Sequence, residues 1–299
     1  MTPAVAATLG PTGTPTVATA LHVAGERLAQ VGIATARQDA EVLLARALGT
    51  TRLGLYTTGS GPVPQATLEA FEALVARRAR HEPLQYLLGE AEFRGIVLEL
   101  GPGVFIPRPE TEALVDRALA LGPPDVATVL DLCAGSGAIA CAVGRRRPEW
   151  TVWAVDRAAA ALDCARANVR RLGLDGRIHV LEGDLFEPLR DRVPAGAADL
   201  VVANPPYLPA PILPVLPVEV RDWEPRAALD GGPDGLDVIR RVLGAAPDWL
   251  RPEGGLLMEI GEEQGPAAQA LVCADGRYAG ARVHRDFRGC DRVLEARRR

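Results

Sequence analysis

The sequence predicts an α/β fold, a mostly parallel doubly wound sheet, preceded by a small N-terminal helical domain and a connecting β-hairpin. Three observations carry this expectation. From about residue 126 onward, apolar runs of strand length alternate with helical patterns, and that alternation buries a parallel sheet between two helical layers. From about 16 to 88 the apolar spacing is helical throughout. Between these regions, residues 89–107 are punctuated by glycine in the manner of a hairpin.

Taken in order, residues 1–14 are rich in Thr, Pro, Gly and Ala and read as a disordered lead. Ala40, Leu43, Leu44, Ala47 and Leu48 then fall at helical spacing, with Gly49 as a stop signal. Leu68, Phe71, Leu74 and Val75 repeat the spacing beside an Arg77-Arg78-Ala79-Arg80 run expected to be solvated. On its residues alone this bundle is equally a stabilising cap or a docking module. Pro109 and Glu110 suit the first turn of a helix and its dipole. Strands are expected at 128–132, 151–155, 177–181, 198–203 and 254–260, and helices at 137–145, 158–172, 234–250 and 264–273. Segments 279–286 and 292–296 alternate like a closing antiparallel pair.

Bulk composition bounds the chemistry. Of 299 residues, 48% are hydrophobic and 24% charged, as in an ordinary globular protein. All 33 basic residues are arginine, which excludes a Schiff-base or phosphate-loop lysine. A net charge of −5 argues against a large nucleic-acid footprint, and the terminal Arg297-Arg298-Arg299 reads as a solvated tail. The five cysteines (133, 141, 164, 273, 290) show no metal-ligand spacing; they suit small buried residues in a reduced, cytoplasmic protein. The four histidines (22, 81, 179, 284) are scattered and read as structural. Residues 200–218 carry no charge, but six prolines among them exclude a membrane span. No basic region precedes the first apolar stretch, so no secretion signal is expected.

Two segments carry chemistry. Residues 129–137, Val-Leu-Asp131-Leu-Cys-Ala-Gly135-Ser-Gly137, form a glycine-rich turn from the first parallel strand into a helix. There the backbone can approach a ligand at a helix N-terminus. Asp156 follows Gly137 by 19 residues, at the end of the next strand, where a carboxylate can accept both hydroxyls of a ribose. The third glycine of the dinucleotide fingerprint is missing. A charged Asp131 would repel a pyrophosphate but favour the cationic S-adenosylmethionine; the alternative is that Asp131 caps the turn. Asp184 and Leu185 follow the third strand, where they could reach an adenine, or form a plain turn. The second segment, Asn204-Pro205-Pro206-Tyr207, follows the apolar strand 198–203. Proline cannot continue the ladder, so its carbonyls and the Asn204 amide are expected to face the cleft, where they suit a planar –NH2 group. The alternative is a proline-rich turn.

These residues resemble the class I methyltransferases that modify the glutamine of peptide chain release factors, the PrmC/HemK group. The resemblance runs from about 37 to 294. It rests on Asp39-Ala-Glu-Val-Leu-Leu44, Pro83-Leu-Gln-Tyr86, Gly89 with Phe93, Ile106-Pro-Arg-Pro-Glu-Thr-Glu112, and Asp131-Leu-Cys-Ala-Gly-Ser-Gly-Ala-Ile-Ala140. Asn204-Pro-Pro-Tyr207, Glu224-Pro-Arg226, Asp234-Gly-Leu236, Glu259-Ile-Gly261 with Gln264, and Gly289-Cys-Asp-Arg292 complete it. Asn-Pro-Pro-Tyr alone is shared with adenine-amine methylases; the 106–112 segment is much more specific. Cys133 stands where many members have glycine and Leu185 where some have tryptophan, and residues 211–217 are richer in proline than expected.

The resemblance implies a class I (Rossmann-like) SAM-dependent methyltransferase sheet. Residues 15–88 would be a substrate-recognition domain, 89–107 a hairpin linker and 108–299 the methyltransferase domain. Cys133, Ala134, Gly135, Ser136, Gly137, Asp131, Asp156, Asp184, Leu185 and Asn204 would bind S-adenosyl-L-methionine. Asn204, Pro205, Pro206 and Tyr207 would hold a glutamine of the release factor's Gly-Gly-Gln motif, with Asn204, Pro205 and Tyr207 catalytic and no metal. Arg108, Glu110 and Glu259 are candidates for the donor's methionine end. Neither a membrane nor a nucleic-acid substrate is expected. An adenine-amine methylase and a ribosomal-protein glutamine methylase remain the competing activities.

Overall fold

A computed structural model describes residues 14–57 and 61–299; most of the expected N-terminal lead lies outside them. The chain divides into two compact units, residues 1–89 and 90–299.

The first unit is helical: α1 (Val17–Gln30), α2 (Ala36–Leu48), α3 (Arg52–Thr57), α4 (Gln65–Arg78) and α5 (Leu84–Leu88). Thr16 caps α1 by accepting the Thr19 amide, and Gly49 ends α2 at φ +63, which glycine adopts without strain. Leu28, Ala40, Leu43, Leu44, Phe71 and Val75 form a fully buried core, with Leu48, Leu68 and Leu74 packed against it. Two ionic clusters tie the helices. Glu41 accepts hydrogen bonds from Arg37 and Arg52 at 2.7 Å and Tyr56 at 2.6 Å. Arg78 is not solvated as expected. It is buried, donating to Asp39 at 2.7 Å and to the Glu82 carbonyl, because a buried guanidinium needs acceptors for its fixed donors.

The second unit opens with the hairpin β1 (Glu90–Phe93) and β2 (Ile96–Glu99). Its turn residues Arg94 and Gly95 both have positive φ, the two-residue geometry that matches strand twist. Phe93, Ile96 and Leu98 bury into the main core. A short 3-10 turn, Pro109–Thr111, leads into α6 (Glu112–Leu121). Then follow β3 (Ala127–Leu132), α7 (Ala138–Arg146), β4 (Trp150–Asp156), α8 (Ala159–Arg171), β5 (Ile178–Glu182) and β6 (Ala198–Ala203). Short helix α9 (Val218–Arg221) precedes α10 (Asp237–Trp249), β7 (Leu250–Glu259), α11 (Gly265–Ala274), β8 (Tyr278–Arg285) and β9 (Asp291–Arg298).

The seven strands order as β5-β4-β3-β6-β7-β9-β8. Pairs from β5 through β7 are parallel, and β9 runs antiparallel to both neighbours. Side chains alternate between two cores. Val129, Val152 and Val202 pack under α6, α7 and α8, while Leu130, Val201 and Met258 pack under α10 and α11. This sheet, covered on both faces, is the expected fold class.

Three expectations change in detail. Strand β7 begins at Leu250 rather than 254, because the ladder tolerates Pro252 across an irregular register with β6. Arg297 and Arg298 are no loose tail: they pair with Gly255 and Tyr278 in β9. Cys273 is exposed, Cys141 is buried, and the other three cysteines are half-buried, all as free thiols. Among the described residues, no helix is long and apolar enough to cross a membrane.

Candidate active site

The sheet order reverses at β3. The chain runs outward through β4 and β5, then returns to pair β6 on the other side of β3. Ligands of open α/β sheets bind beyond the strand carboxyl ends at such a switch point. Leu132 and Ala203, the last residues of β3 and β6, lie opposite one another. The loops that carry the chemistry-bearing segments beyond these strands start one residue later, at Cys133 and Asn204. A cavity of about 320 Å³ opens there, lined by residues 133–136, Asp156, Asp184, Leu185 and residues 204–207. Phe105, Pro107, Arg108 and Thr111 contribute a further wall.

The glycine turn is shaped by its backbone. Cys133, Gly135 and Gly137 all have positive φ, +57, +57 and +76. A left-handed residue with a Cβ is strained, which gives a physical reason for glycine where this chain has Cys133. Asp156 holds the turn by accepting the Gly135 amide at 2.8 Å and the Ala158 amide at 2.9 Å. Each of its oxygens keeps a lone pair for a ligand hydroxyl. A Cβ built on Gly135 would meet no protein atom within 4 Å, so packing does not demand its bareness. Gly137 does not line the cavity. Its missing side chain lets α7 approach α8, where a Cβ would lie 3.2 Å from that of Ala165. Burial pushes the Cys133 thiol up to about 12, so it is neutral near pH 7.

Asp131 departs from expectation. It is fully buried beneath the turn, outside the cavity wall, and accepts the Ala140 amide at 3.0 Å. Its other oxygen has no hydrogen-bond partner. Burial, helped by the nearby Asp156 charge, raises its carboxyl to about 8. A neutral acid exerts no monopole on a ligand, so repulsion of pyrophosphate by Asp131 does not select the cofactor at neutral pH. Capping the turn is its visible role. Asp184 does line the cavity, but its carboxylate is paired with Arg241 on α10, a partner that helical spacing within α10 does not reveal.

The segment of residues 204–207, a clamp in shape, is held from four sides. Asn204 donates its amide nitrogen to the Thr111 hydroxyl at 3.2 Å, leaving the carboxamide oxygen for a ligand. Tyr207 donates its phenol to Glu259 at the end of β7, at 3.0 Å. Desolvation and the Glu259 charge raise the phenol well above its usual range, so Tyr207 is no base. Gln264 donates to the Tyr207 carbonyl at 2.9 Å and accepts the Gly261 amide at 2.8 Å. Beyond the prolines, Leu208 exchanges backbone bonds with Leu229 and Gly231.

The remaining candidates scatter. Arg108 lines the cavity, but it is ion-paired to buried Glu224, which also accepts the Ile106 amide at 3.1 Å. Glu110 is paired with Arg288 at 3.2 Å, and neither it nor Glu259 lines the cavity. No histidine does either. His284 bonds Glu295 at 2.8 Å and His179 packs on Trp153. Among the described residues no group of His, Cys, Asp and Glu could hold a metal ion. Thr111, the partner of Asn204, carries no sequence signal beyond its place in the Pro-Glu-Thr-Glu run.

Residues 19–89 match the model of the PrmC N-terminal domain, and residues 111–210 that of the methyltransferase small domain. The release factor glutamine methyltransferase of Geobacter sulfurreducens is 43% identical over 270 residues, 90% of this chain and 92% of that protein. That of Mycolicibacterium smegmatis is 43% identical over 94% of this chain and 97% of its own length. Among solved structures, a T. Thermophilus 16S rRNA N2 G1207 methyltransferase in complex with AdoMet and guanosine shares the fold, with a TM-score of 0.51 at 20% identity. That likeness covers 70% of this chain and half of the other. With its parallel switch-point sheet and full-length relatives, the chain belongs to the release factor glutamine methyltransferase family.

Proposed function

We propose that this protein transfers a methyl group from S-adenosyl-L-methionine to the side-chain amide nitrogen of a glutamine in peptide chain release factors. The observation that carries the assignment is the 43% identity to release factor glutamine methyltransferases across nearly the whole chain. The orientation of Asn204 supports it: with Nδ2 committed to Thr111, its oxygen is the acceptor left for a substrate N–H.

The cavity suits the donor. Asp156 is placed for paired ribose hydroxyls, the bare turn at Gly135 admits close approach, and Leu185, Ile139 and Ala161 offer apolar surface for a ring. When bound, the donor supplies an electrophilic methyl group on a positively charged sulfur.

The chain's own residues do the rest. An amide nitrogen is a poor nucleophile because its lone pair is delocalised into the carbonyl. Asn204 Oδ1 and the Pro205 carbonyl accept its two N–H groups, orienting it and stabilising the positive charge that gathers on it as the N–C bond forms and the S–C bond breaks, after which one of the two hydrogens leaves as a proton to solvent. Tyr207 packs on the amide plane and excludes water. The helical residues 15–88 recognise the release factor, and the five free thiols suit the reducing cytoplasm.

The test is incubation with isotopically labelled donor and, separately, purified release factor, ribosomal proteins and DNA. Label is expected on the glutamine of the release factor. Label confined to DNA or to a ribosomal protein overturns the assignment.

A further inference from the structure

Asn168 is a fully buried carboxamide that no step of the transfer reaction uses. It lies on α8, behind the glycine turn and outside the cavity. Its two ends join two stretches of chain far apart in sequence. Oδ1 accepts the Glu99 amide at 2.6 Å. Nδ2 donates to the Glu99 carbonyl and to the Ser136 carbonyl, each at 3.0 Å. Facing one N–H and two carbonyls, the amide has a single favourable orientation, because its reverse would set oxygen against oxygen. Asn168 thus stands where a neighbouring strand would, exchanging bonds with both backbone groups of one residue.

Both partners lead into the cavity. Ser136 lines it, and the Ser136 carbonyl belongs to the peptide that carries the turn into Gly137 and α7. Held toward Asn168, that carbonyl fixes the plane of the peptide. Glu99 ends β2, and the chain beyond it supplies Gly103, Phe105, Pro107 and Arg108 to the further wall. Helix α8 backs both stretches by packing as well. A Cβ on Gly137 would lie 3.2 Å from that of Ala165, and one on Gly103 would lie 3.5 Å from that of Ala160.

We propose that Asn168 is a positioning residue of the donor site, acting through Ser136 and Glu99 to hold the glycine turn and the 103–108 wall at a fixed spacing. The inference rests on the reading that the cavity takes S-adenosyl-L-methionine. A buried hydrogen-bond network of this kind is stiff when every member is satisfied, and one removed donor leaves a carbonyl unpaired away from water. The spacing of the two walls then loosens where the donor must fit between them.

The test measures S-adenosyl-L-methionine affinity by calorimetry, kcat, the release-factor KM and the melting temperature for Asn168→Asp, Glu99→Pro and Cys164→Ala. Asn168→Asp keeps the shape and sets an oxygen against two carbonyls. Its donor dissociation constant is expected to rise about tenfold or more, the scale of one lost buried hydrogen bond. At saturating donor, kcat and the release-factor KM are expected to stay within about threefold of wild type, the split left by lost binding rather than lost chemistry. Glu99→Pro removes the N–H that Oδ1 accepts; because that N–H points at Asn168, proline breaks no bond to β1. It touches neither α8 nor the turn, so it carries the test even if Asn168→Asp fails to fold, and the same split is expected. Cys164, one turn earlier on α8, donates to the same Glu99 carbonyl at 3.1 Å. Cys164→Ala keeps the carboxamide and is expected to bind the donor like wild type. Wild-type donor affinity in Asn168→Asp or Glu99→Pro, whatever their melting temperatures, overturns the proposal, as does an equal loss of affinity in Cys164→Ala. Wild-type protein that binds no S-adenosyl-L-methionine would instead overturn the reading of the cavity.

Discussion

In the proposed reaction, Asn204 concentrates the chemistry into one oxygen, opposite the amide nitrogen that is bonded to Thr111. Replacing it by alanine removes the acceptor while leaving the glycine turn and Asp156 in place. Asn204→Ala is therefore expected to bind S-adenosylmethionine with near wild-type affinity in calorimetry and to lose ~10²-fold or more in transfer. Full transfer activity in that variant would remove Asn204 from the mechanism. What the residues showed beforehand is where the ladder breaks, because a Pro-Pro pair after an apolar run cannot continue it, and β6 ends at Ala203. Asp131 shows where legibility stops. Residue type and spacing located it at the turn, but its charge state depends on complete burial, a property of the folded core rather than of the motif. Arg78 misled for the same reason. A basic run looks solvated until a carboxylate 39 positions away, Asp39, comes to meet it.

At the scale of elements, the clamp is a loop whose shape is maintained by neighbours distant in sequence. Gly235 sits at φ +77, and a Cβ there would stand 2.3 Å from the Tyr207 carbonyl and 2.6 Å from Gln264 Nε2. Gly235→Ala combines left-handed strain with collision against a backbone oxygen. It should destabilise the protein by about 2 kcal/mol or more and depress transfer beyond what the melting shift accounts for. A variant with wild-type kcat and melting temperature would show that the loop yields freely. Strand and helix existence followed from apolar periodicity, which held for β3, β4, β6 and α7. The start of β7 did not follow, since Pro252 and Gly254 read as breakers while an irregular register with β6 absorbs them. The short helices between β6 and α10 carry too few turns for periodicity to register, and their positions come from backbone bonds such as those of Leu208 with Leu229 and Gly231.

Across the whole molecule, two buried carboxyls, Asp131 and Glu41, respond oppositely to acid. Asp131 is raised to about 8 from an ordinary 3.8. Between those values the native state holds a proton that the unfolded chain has released, so its contribution, full below about pH 4, is lost as pH rises through 8. Glu41, lowered to about 2 from 4.5 by its Arg37, Tyr56 and Arg52 hydrogen bonds against desolvation, contributes above pH 4.5 and loses that contribution as pH falls through 2. All four tryptophans (150, 153, 223, 249) belong to the sheet unit, so their fluorescence isolates it. Denaturation followed that way should show stability declining from pH 5 to 8, with a shallower decline in Asp131→Asn. An identical slope in the two proteins would contradict the raised carboxyl. The pairing of Leu132 with Ala203 has a separate consequence. In the proposed reaction, the segments that grip the two reactants hang from the same rung of one ladder. Breathing of the sheet that tilts this rung carries both along in common, so their mutual spacing persists while their absolute position drifts. Accuracy of this differential kind needs no stiffness elsewhere in the polypeptide.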